Sequence, residues 1–372
     1  MPRVTHVFKT YFPETSGGLE EAIRQCATCA AARGFSVQVV CVGPAGYTVT
    51  SPEGITARFY KKTWDYLSNP FSLSFARAFP GICRNTDLLH FHFPWPTAEM
   101  LALVHDIKTP SLVTFHCDIH RMLPLKILYL PFVRRFLHKM DCICVTSGAL
   151  FKNTPYLAPF ARRIREIPLF MNEQRFAGLG PVDPGLAALA GKKPFALFAG
   201  VLRWYKGLDI LLDAAGTTQG EIRIVGIGPL YKKLAARIRT ENLANVHLMG
   251  FQSDKNLAWL IKNARMVVLP SITPAEAFGQ ILLEGLYFQT PLVSTRLGTG
   301  TSVVNRHGYT GLVVKPGCSR SLAQAMNTLF SDRALAGQFA RNTRHHYDAH
   351  FTPKTQGDKY LSIYRSLLHS RP

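Results

Sequence analysis

No apolar run in these 372 residues approaches the ~20 positions that a membrane-spanning helix needs. The opening MPRVTHVFKTYF alternates as a strand does and has no apolar core of the kind a secretory signal carries. Eight cysteines are too few for a disulfide framework. Cys26, Cys41, Cys142 and Cys144 fall within apolar helix or strand patterns, as buried reduced thiols of a cytosolic protein do. Cys26-x-x-Cys29 has redox spacing, but helical periodicity on both sides reads as packing. Twenty-eight Gly and 24 Pro are ordinary counts and exclude a collagen-like or low-complexity chain.

Acidic residues are scarce. Twenty-three Asp and Glu stand against 43 Lys and Arg, a formal charge of +20. The first 180 residues hold 20 basic and 12 acidic side chains and the remainder 23 and 11, so the excess is spread and forms no basic tail. Such a field suits an anionic partner. Aromatic or basic nucleic-acid recognition motifs are missing, which argues against nucleic acid as that partner. Metal spacings are missing too. There is no Asp-x-Asp pair, and His116 and His120 lack the glutamate that follows the first histidine of a zincin, so no metal is expected. Gly226-Ile227-Gly228 lacks the third glycine of the dinucleotide fingerprint, and no acid stands at a strand end ~20 residues on, which excludes a nicotinamide enzyme.

What is present is an alternation of short apolar runs with amphipathic stretches. Strands are expected at 4–8, 37–42, 88–93, 112–115 and 142–146, with helices near 19–33, 98–106 and 124–140. Residues 172–193, rich in Gly, Pro and Ala, read as a linker. The alternation then restarts, with strands at 195–199, 222–225, 246–249, 267–269 and 292–294 and helices at 209–215, 231–240, 257–264 and 281–288. The stretch 322–368 reads as mostly helical. The pattern implies two doubly wound α/β domains, 1–171 and 194–352, whose ligands sit at strand carboxyl ends in the cleft between them.

Several residue sets fit anion or sugar binding, each with a plain structural alternative. Gly17-Gly18 precedes a helix and lets backbone N–H groups approach a phosphate, although a tight turn needs glycine as well. Arg203 and Lys206 follow a strand, where two cations suit a diphosphate or a solvated turn. Glu276 is expected in a loop, as a sugar-hydroxyl ligand or a helix-capping acid. Glu284 is expected in the following helix within a buried pattern, where an unpartnered carboxylate is costly. His116 ends a strand. His90 and His92 flank Phe91 and read as pointing to opposite faces. The 121–139 stretch mixes apolar residues with Lys126, Arg134, Arg135 and Lys139 and no acid. It suits an anionic membrane interface or a helix packed on its sheet with its cations outward. Residues 59–79 have a similar mix.

In order, FPETSGGLEEAI, DLLHFHFP, VTFHCDIHR, VLRWYKGLDILLDA, IVGIGP, VHLMGF, LPSITPAEAFGQILLEGL, TPLVST and GYTGLVVKPG run nearly end to end. Together they resemble the bacterial GT-B glycosyltransferases of family 4, which use nucleotide-sugar donors with retention. FKTYFPETSGG and TFHCDIHR resemble most the O-antigen mannosyltransferases and relatives that use GDP-sugars. The resemblance implies that Arg203 and Lys206 bind the donor diphosphate and Glu284 the ribose. Glu276 would hold donor-sugar hydroxyls, aided by backbone N–H groups near Phe278 and Gly279. His116 would lie beside the reacting face of the sugar, with Gly17, Gly18 and Gly226 near the donor. It further implies that helix 353–372 packs back on the first domain. The acceptor would be a polyprenyl-diphosphate-linked saccharide, reached by a cytoplasmic enzyme at the inner face of the membrane, with no cofactor. Alternatives within the same resemblance are a UDP-sugar or another GDP-sugar. Outside it stand a non-catalytic partner subunit and a nucleic-acid-binding protein. Gln289 occupies the place where a glycine closes the Glu284 helix, a substitution costing about 1 kcal/mol if left-handed.

Overall fold

The computed structural model describes residues 1–15, 17–118, 123–188 and 193–369, with the side chains of 123–126 outside that description. They form two compact units: Met1–Phe170 with Pro353–Pro372, and Met171–Thr352.

The first unit is built on β1 (Arg3–Val7), β2 (Ser36–Gly43), β3 (Tyr47–Thr50), β4 (Thr56–Lys61), the hairpin of β5 (Trp64–Tyr66) and β6 (Asn69–Phe71), β7 (Leu88–Phe93), β8 (Ser111–Phe115), β9 (Cys142–Val145) and β10 (Ile164–Glu166). Its main sheet runs β10-β9-β8-β7-β1-β2-β4-β3, parallel except for the β3–β4 pair. Strands buried on both faces need apolar residues at successive positions, as in Leu88–Phe93, where all six side chains are buried. One face packs Val7, Phe91, Val113 and Phe115 against Phe75, Phe79 and Phe136 of the helices Leu73–Arg84 and Leu123–Lys139. The other packs Val4, Phe8, Leu88 and Leu112 against Ile23 and Cys26 of the helix Gly18–Ala31, and against Tyr360 and Tyr364 of the helix Asp358–His369. The eight cysteines are free thiols.

The second unit holds β11 (Phe195–Ala199), β12 (Glu221–Val225), β13 (Val246–Gly250), β14 (Met266–Leu269), β15 (Leu292–Thr295) and β16 (Gly311–Val314). All run parallel, in the order β13-β12-β11-β14-β15-β16. The direction of winding reverses between β11 and β14, which is where doubly wound sheets open a crevice at their carboxyl ends. The stretch 172–188, expected as part of a linker, lies in this unit and holds two short turns, Glu173–Phe176 and Pro184–Ala187. Gln289 is left-handed at φ 59°, as the closing position of the Gln280–Tyr287 helix requires. Among the described residues no helix is long and apolar enough to cross a membrane.

Candidate functional site

The site in the second unit begins with two loops leaving neighbouring strands. After β11 the chain makes the turn Trp204–Lys206 and enters the helix Leu208–Ala215 through Gly207, left-handed at φ 71°. A Cβ on Gly207 would stand 2.0 Å from the Pro270 carbonyl oxygen, so only glycine lets this loop lie against the one after β14. The Ile272 N–H donates to the Tyr205 carbonyl across that contact at 2.9 Å. Gly226, expected near the donor, has a structural reason of its own. At φ 132° a Cβ there would sit 2.0 Å from the Gly200 oxygen.

This closeness brings Lys206 and Glu276 together. The Lys206 ammonium donates to Glu276 Oε2, which also accepts from Ser271 Oγ at 3.1 Å. The Lys206 and Glu276 side chains are 13% and 8% exposed, so they form a largely desolvated ion pair. Glu276 lies in the loop, and Thr299 Oγ1 fixes its carbonyl at 2.8 Å. Phe278 and Gly279 are buried just before the helix Gln280–Tyr287. Glu284, buried on that helix, accepts from Arg175 Nη1 at 2.8 Å. The second arm of the same guanidinium donates to Asp254 Oδ1 at 2.5 Å. Arg203 differs from its neighbour Lys206, being exposed and making no ion pair among the described residues.

Arg175 is the partner of Glu284 that sequence reasoning missed. It sits in the stretch read as a linker, and the available signal was Asn172, whose side chain caps the turn by accepting from the Gln174 N–H at 3.1 Å.

In the first unit, Gly17 is the extended N-cap of the helix Gly18–Ala31, with Gly18 its first residue. That helix start already holds carboxylates of its own. Glu20 accepts from Thr10 and Thr15 at 2.8 and 2.9 Å, and Glu21 pairs with Arg24 at 3.0 Å. His116 is buried just past β8, with its Nε2 at 2.9 Å from His92 Nδ1. His90 and His92 share one face of β7, contrary to the expectation of opposite faces, and their ring centroids lie 4.2 Å apart. Side chains two apart on a strand point the same way. Ligating nitrogens of His6, His90 and His92 lie within 4.8 Å of one another. However, His90 is engaged on both sides, at 2.7 Å from Tyr364 OH and 2.7 Å from Thr114 Oγ1. Burial holds all four imidazoles neutral, pushing His6 and His116 down to about 3 and lowering His90 and His92 as well.

The helix Leu123–Lys139 packs on its sheet with cations outward, one of its two expected readings. Val133, Phe136 and Leu137 are buried in the core, while Arg134 and Arg135 are exposed. Ile127 and Leu128 are also exposed, at 68% and 70%. Lys139 is a correction. Its ammonium donates to the carbonyls of Ala102, Leu103 and His105 at 2.9–3.1 Å, capping the end of the helix Pro96–Val104 rather than presenting a free charge. Lys126 lies on the helix but its side chain is outside the description, as are His120 and Arg121 entirely.

Residues 187–346 match the family described as glycosyl transferases group 1, and 16–175 the one described as glycosyltransferase family 4. The chain is 34% identical over 370 residues to the O-antigen chain mannosyltransferase C of Escherichia coli, covering 99% of this chain and 100% of that one. It is 35% identical over 353 residues to the D-rhamnosyltransferase WbpZ of Pseudomonas aeruginosa, covering 94% and 92%. The crystal structure of Anabaena HepE in complex with UDP-glucose superposes with a TM-score of 0.77 at 18% identity, covering 98% of this chain and 99% of that one.

Proposed function

We propose a specific reaction for this chain, which belongs to the family 4 glycosyltransferases and has their GT-B fold: transfer of mannose from GDP-mannose, with retention, to a polyprenyl-diphosphate-linked saccharide in O-antigen synthesis. The observation that carries the donor half is the Lys206–Glu276 pair. A nucleotide sugar joins an anionic diphosphate to a ring of hydroxyl donors. It can therefore replace each partner of that pair for the other. Phosphate oxygens accept from Lys206 and sugar hydroxyls donate to Glu276, so neither buried charge loses its partner. Arg203 adds a second, solvent-facing cation, and N–H groups at Phe278 and Gly279 add a helix N-terminus. Glu284, held by Arg175, takes the ribose hydroxyls. Charge develops on the departing diphosphate, so these cations lower the barrier and no metal is required. The family resemblance assigns His116 to the reacting face of the sugar, and in a same-face attack the leaving phosphate itself takes the acceptor proton. The name of the Escherichia coli relative supports mannose. The Pseudomonas aeruginosa relative is named a D-rhamnosyltransferase, which makes transfer of D-rhamnose the competing reading.

A thermal-shift panel of GDP, UDP, ADP and their sugars tests the donor. GDP and GDP-mannose are expected to stabilise the protein by about 2.7 kcal/mol at one hundred times Kd. Glu284→Ala is expected to abolish that shift, because its partner is the ribose. Glu276→Ala is expected to keep GDP binding and lose kcat, because its partner is the sugar. A shift with UDP alone overturns the GDP assignment, and equal loss of GDP binding in both variants overturns the division of roles.

The lipid-linked acceptor requires that the enzyme reach an anionic surface. We assign this to Lys126, Arg134 and Arg135 beside exposed Ile127 and Leu128. Each cation near such a surface contributes about 1 kcal/mol. Replacing the three with Ser should weaken binding to anionic vesicles by about 10²-fold, while sparing activity on a short soluble acceptor. Lys139 is left intact because its capping role would confound the result. Undiminished vesicle binding by the triple variant places the contact elsewhere.

A further inference from the structure

His116 ends a file of three imidazoles on the sheet, one from each of three adjacent strands or strand ends. His6 Nδ1 lies 2.9 Å from His92 Nε2, and His92 Nδ1 lies 2.9 Å from His116 Nε2. The rings lean together, with centroid separations of 5.2 Å and 5.2 Å. All three are buried in a face that the helix Asp358–His369 helps to cover. The two outer atoms, His6 Nε2 and His116 Nδ1, have no hydrogen-bond partner among the described residues. His90 stands beside the file without joining it, since Tyr364 and Thr114 occupy its nitrogens.

Neutral imidazoles in such a file have only two arrangements. Each ring donates once and accepts once, so all three carry the proton on the same nitrogen. With every proton on Nε2, His116 Nδ1 is a bare acceptor and His6 Nε2–H is a buried donor with nothing to meet. With every proton on Nδ1, the deep end is a bare nitrogen and His116 Nδ1–H is the donor. Each arrangement thus leaves one buried N–H unmet, at His6 Nε2 in the first and at His116 Nδ1 in the second. An orphaned buried N–H is the costlier end state, and only the one on His116 can be met by an oxygen of a bound ligand.

We propose that His6 and His92 are positioning residues that fix His116 as the Nδ1–H tautomer, so that it presents a hydrogen-bond donor to an oxygen of the sugar or its phosphate. This rests on the placing of His116 at the reacting sugar. The deep imidazoles touch no ligand in this scheme. They act by holding the donor pattern of the one that does, as the outer partner of a ligating histidine sets its tautomer.

The test uses the whole chain labelled with ¹⁵N-histidine, with the signals assigned by single His→Gln variants. In the wild type, His6, His92 and His116 should all report Nδ1–H, unchanged between pH 5 and 8. His92→Leu cuts the file. His116 should then show mixed tautomers and kcat should fall about 10–100-fold, with the donor KM within threefold. His92→Gln keeps a donor and an acceptor, so it should restore most of the loss. His6→Leu does not touch His116, so a tautomer change at His116 in that variant separates positioning from packing, and it serves if His92→Leu does not fold. A shared Nε2–H state in the wild type, or an unaltered His116 signal with full kcat in His92→Leu and His6→Leu, overturns the proposal. Wild-type kcat in His116→Gln, alongside the tautomer change in His92→Leu, overturns instead the placing of His116 at the sugar.

Discussion

Lys206→Ala is expected to lower turnover by about 10²–10³, the cost of one pre-organised donor to developing charge. It is also expected to destabilise the protein by about 3 kcal/mol, because it strands Glu276 as a buried carboxylate supported by Ser271. Arg203→Ala should lose turnover to a similar degree while shifting stability by no more than about 0.5 kcal/mol, since its guanidinium is exposed. Two measurements separate the effects: the transfer rate at saturating donor, and denaturant unfolding of each variant. Lys206→Met combined with Glu276→Gln removes both charges and should regain most of the lost stability but none of the activity. Near-normal turnover in Lys206→Ala removes the diphosphate assignment. Unchanged stability in the same variant shows that the ion pair is more hydrated than its burial indicates.

Gly226→Ala is expected to act on folding before it acts on donor binding. The backbone at φ 132° suits glycine alone, and the added Cβ would lie 2.0 Å from the Gly200 oxygen. Strain of this kind costs about 1–3 kcal/mol, and the backbone shift needed to relieve the overlap costs about 1–3 kcal/mol more. The loops after β11 and β12 are stitched together by the Leu202 N–H to Ile227 carbonyl bond at 3.0 Å and the Leu230 N–H to Leu202 carbonyl bond at 3.2 Å, so the distortion is not local. Unfolding should shift to lower denaturant for the unit containing residue 226. Any loss of donor affinity should disappear when corrected for the folded fraction. Full stability with weakened nucleotide binding would make Gly226 a binding residue rather than a packing one.

The alternation of apolar runs with amphipathic stretches, by itself, determined the doubly wound α/β class and placed the expected strands to within a residue or two, although it missed the six-residue β4. The expected 88–93 is Leu88–Phe93 and the expected 142–146 is Cys142–Val145. Buried parallel strands leave this trace because both of their faces must be apolar. The short hairpin Trp64–Phe71 left none, because its three-residue strands carry exposed Trp64, Asp65 and Tyr66 and no alternation can develop. The sequence also singled out Lys206, Glu276 and Glu284, since charged residues at strand ends and within apolar helix patterns are conspicuous without any structure. It did not determine how they pair. Lys206 meets Glu276 across 70 positions and Arg175 meets Glu284 across 109. The first pairing is set by the order of β11 and β14 in the sheet and a glycine contact between their loops. The second is set by the turn Glu173–Phe176 packing Phe176 against Tyr287 and Phe288 at the end of the Glu284 helix, and none of these is a local property. The same holds for the imidazole file, whose members come from β1, β7 and the end of β8. Only the pairing of strands brings three neutral rings into line, and only burial keeps them neutral.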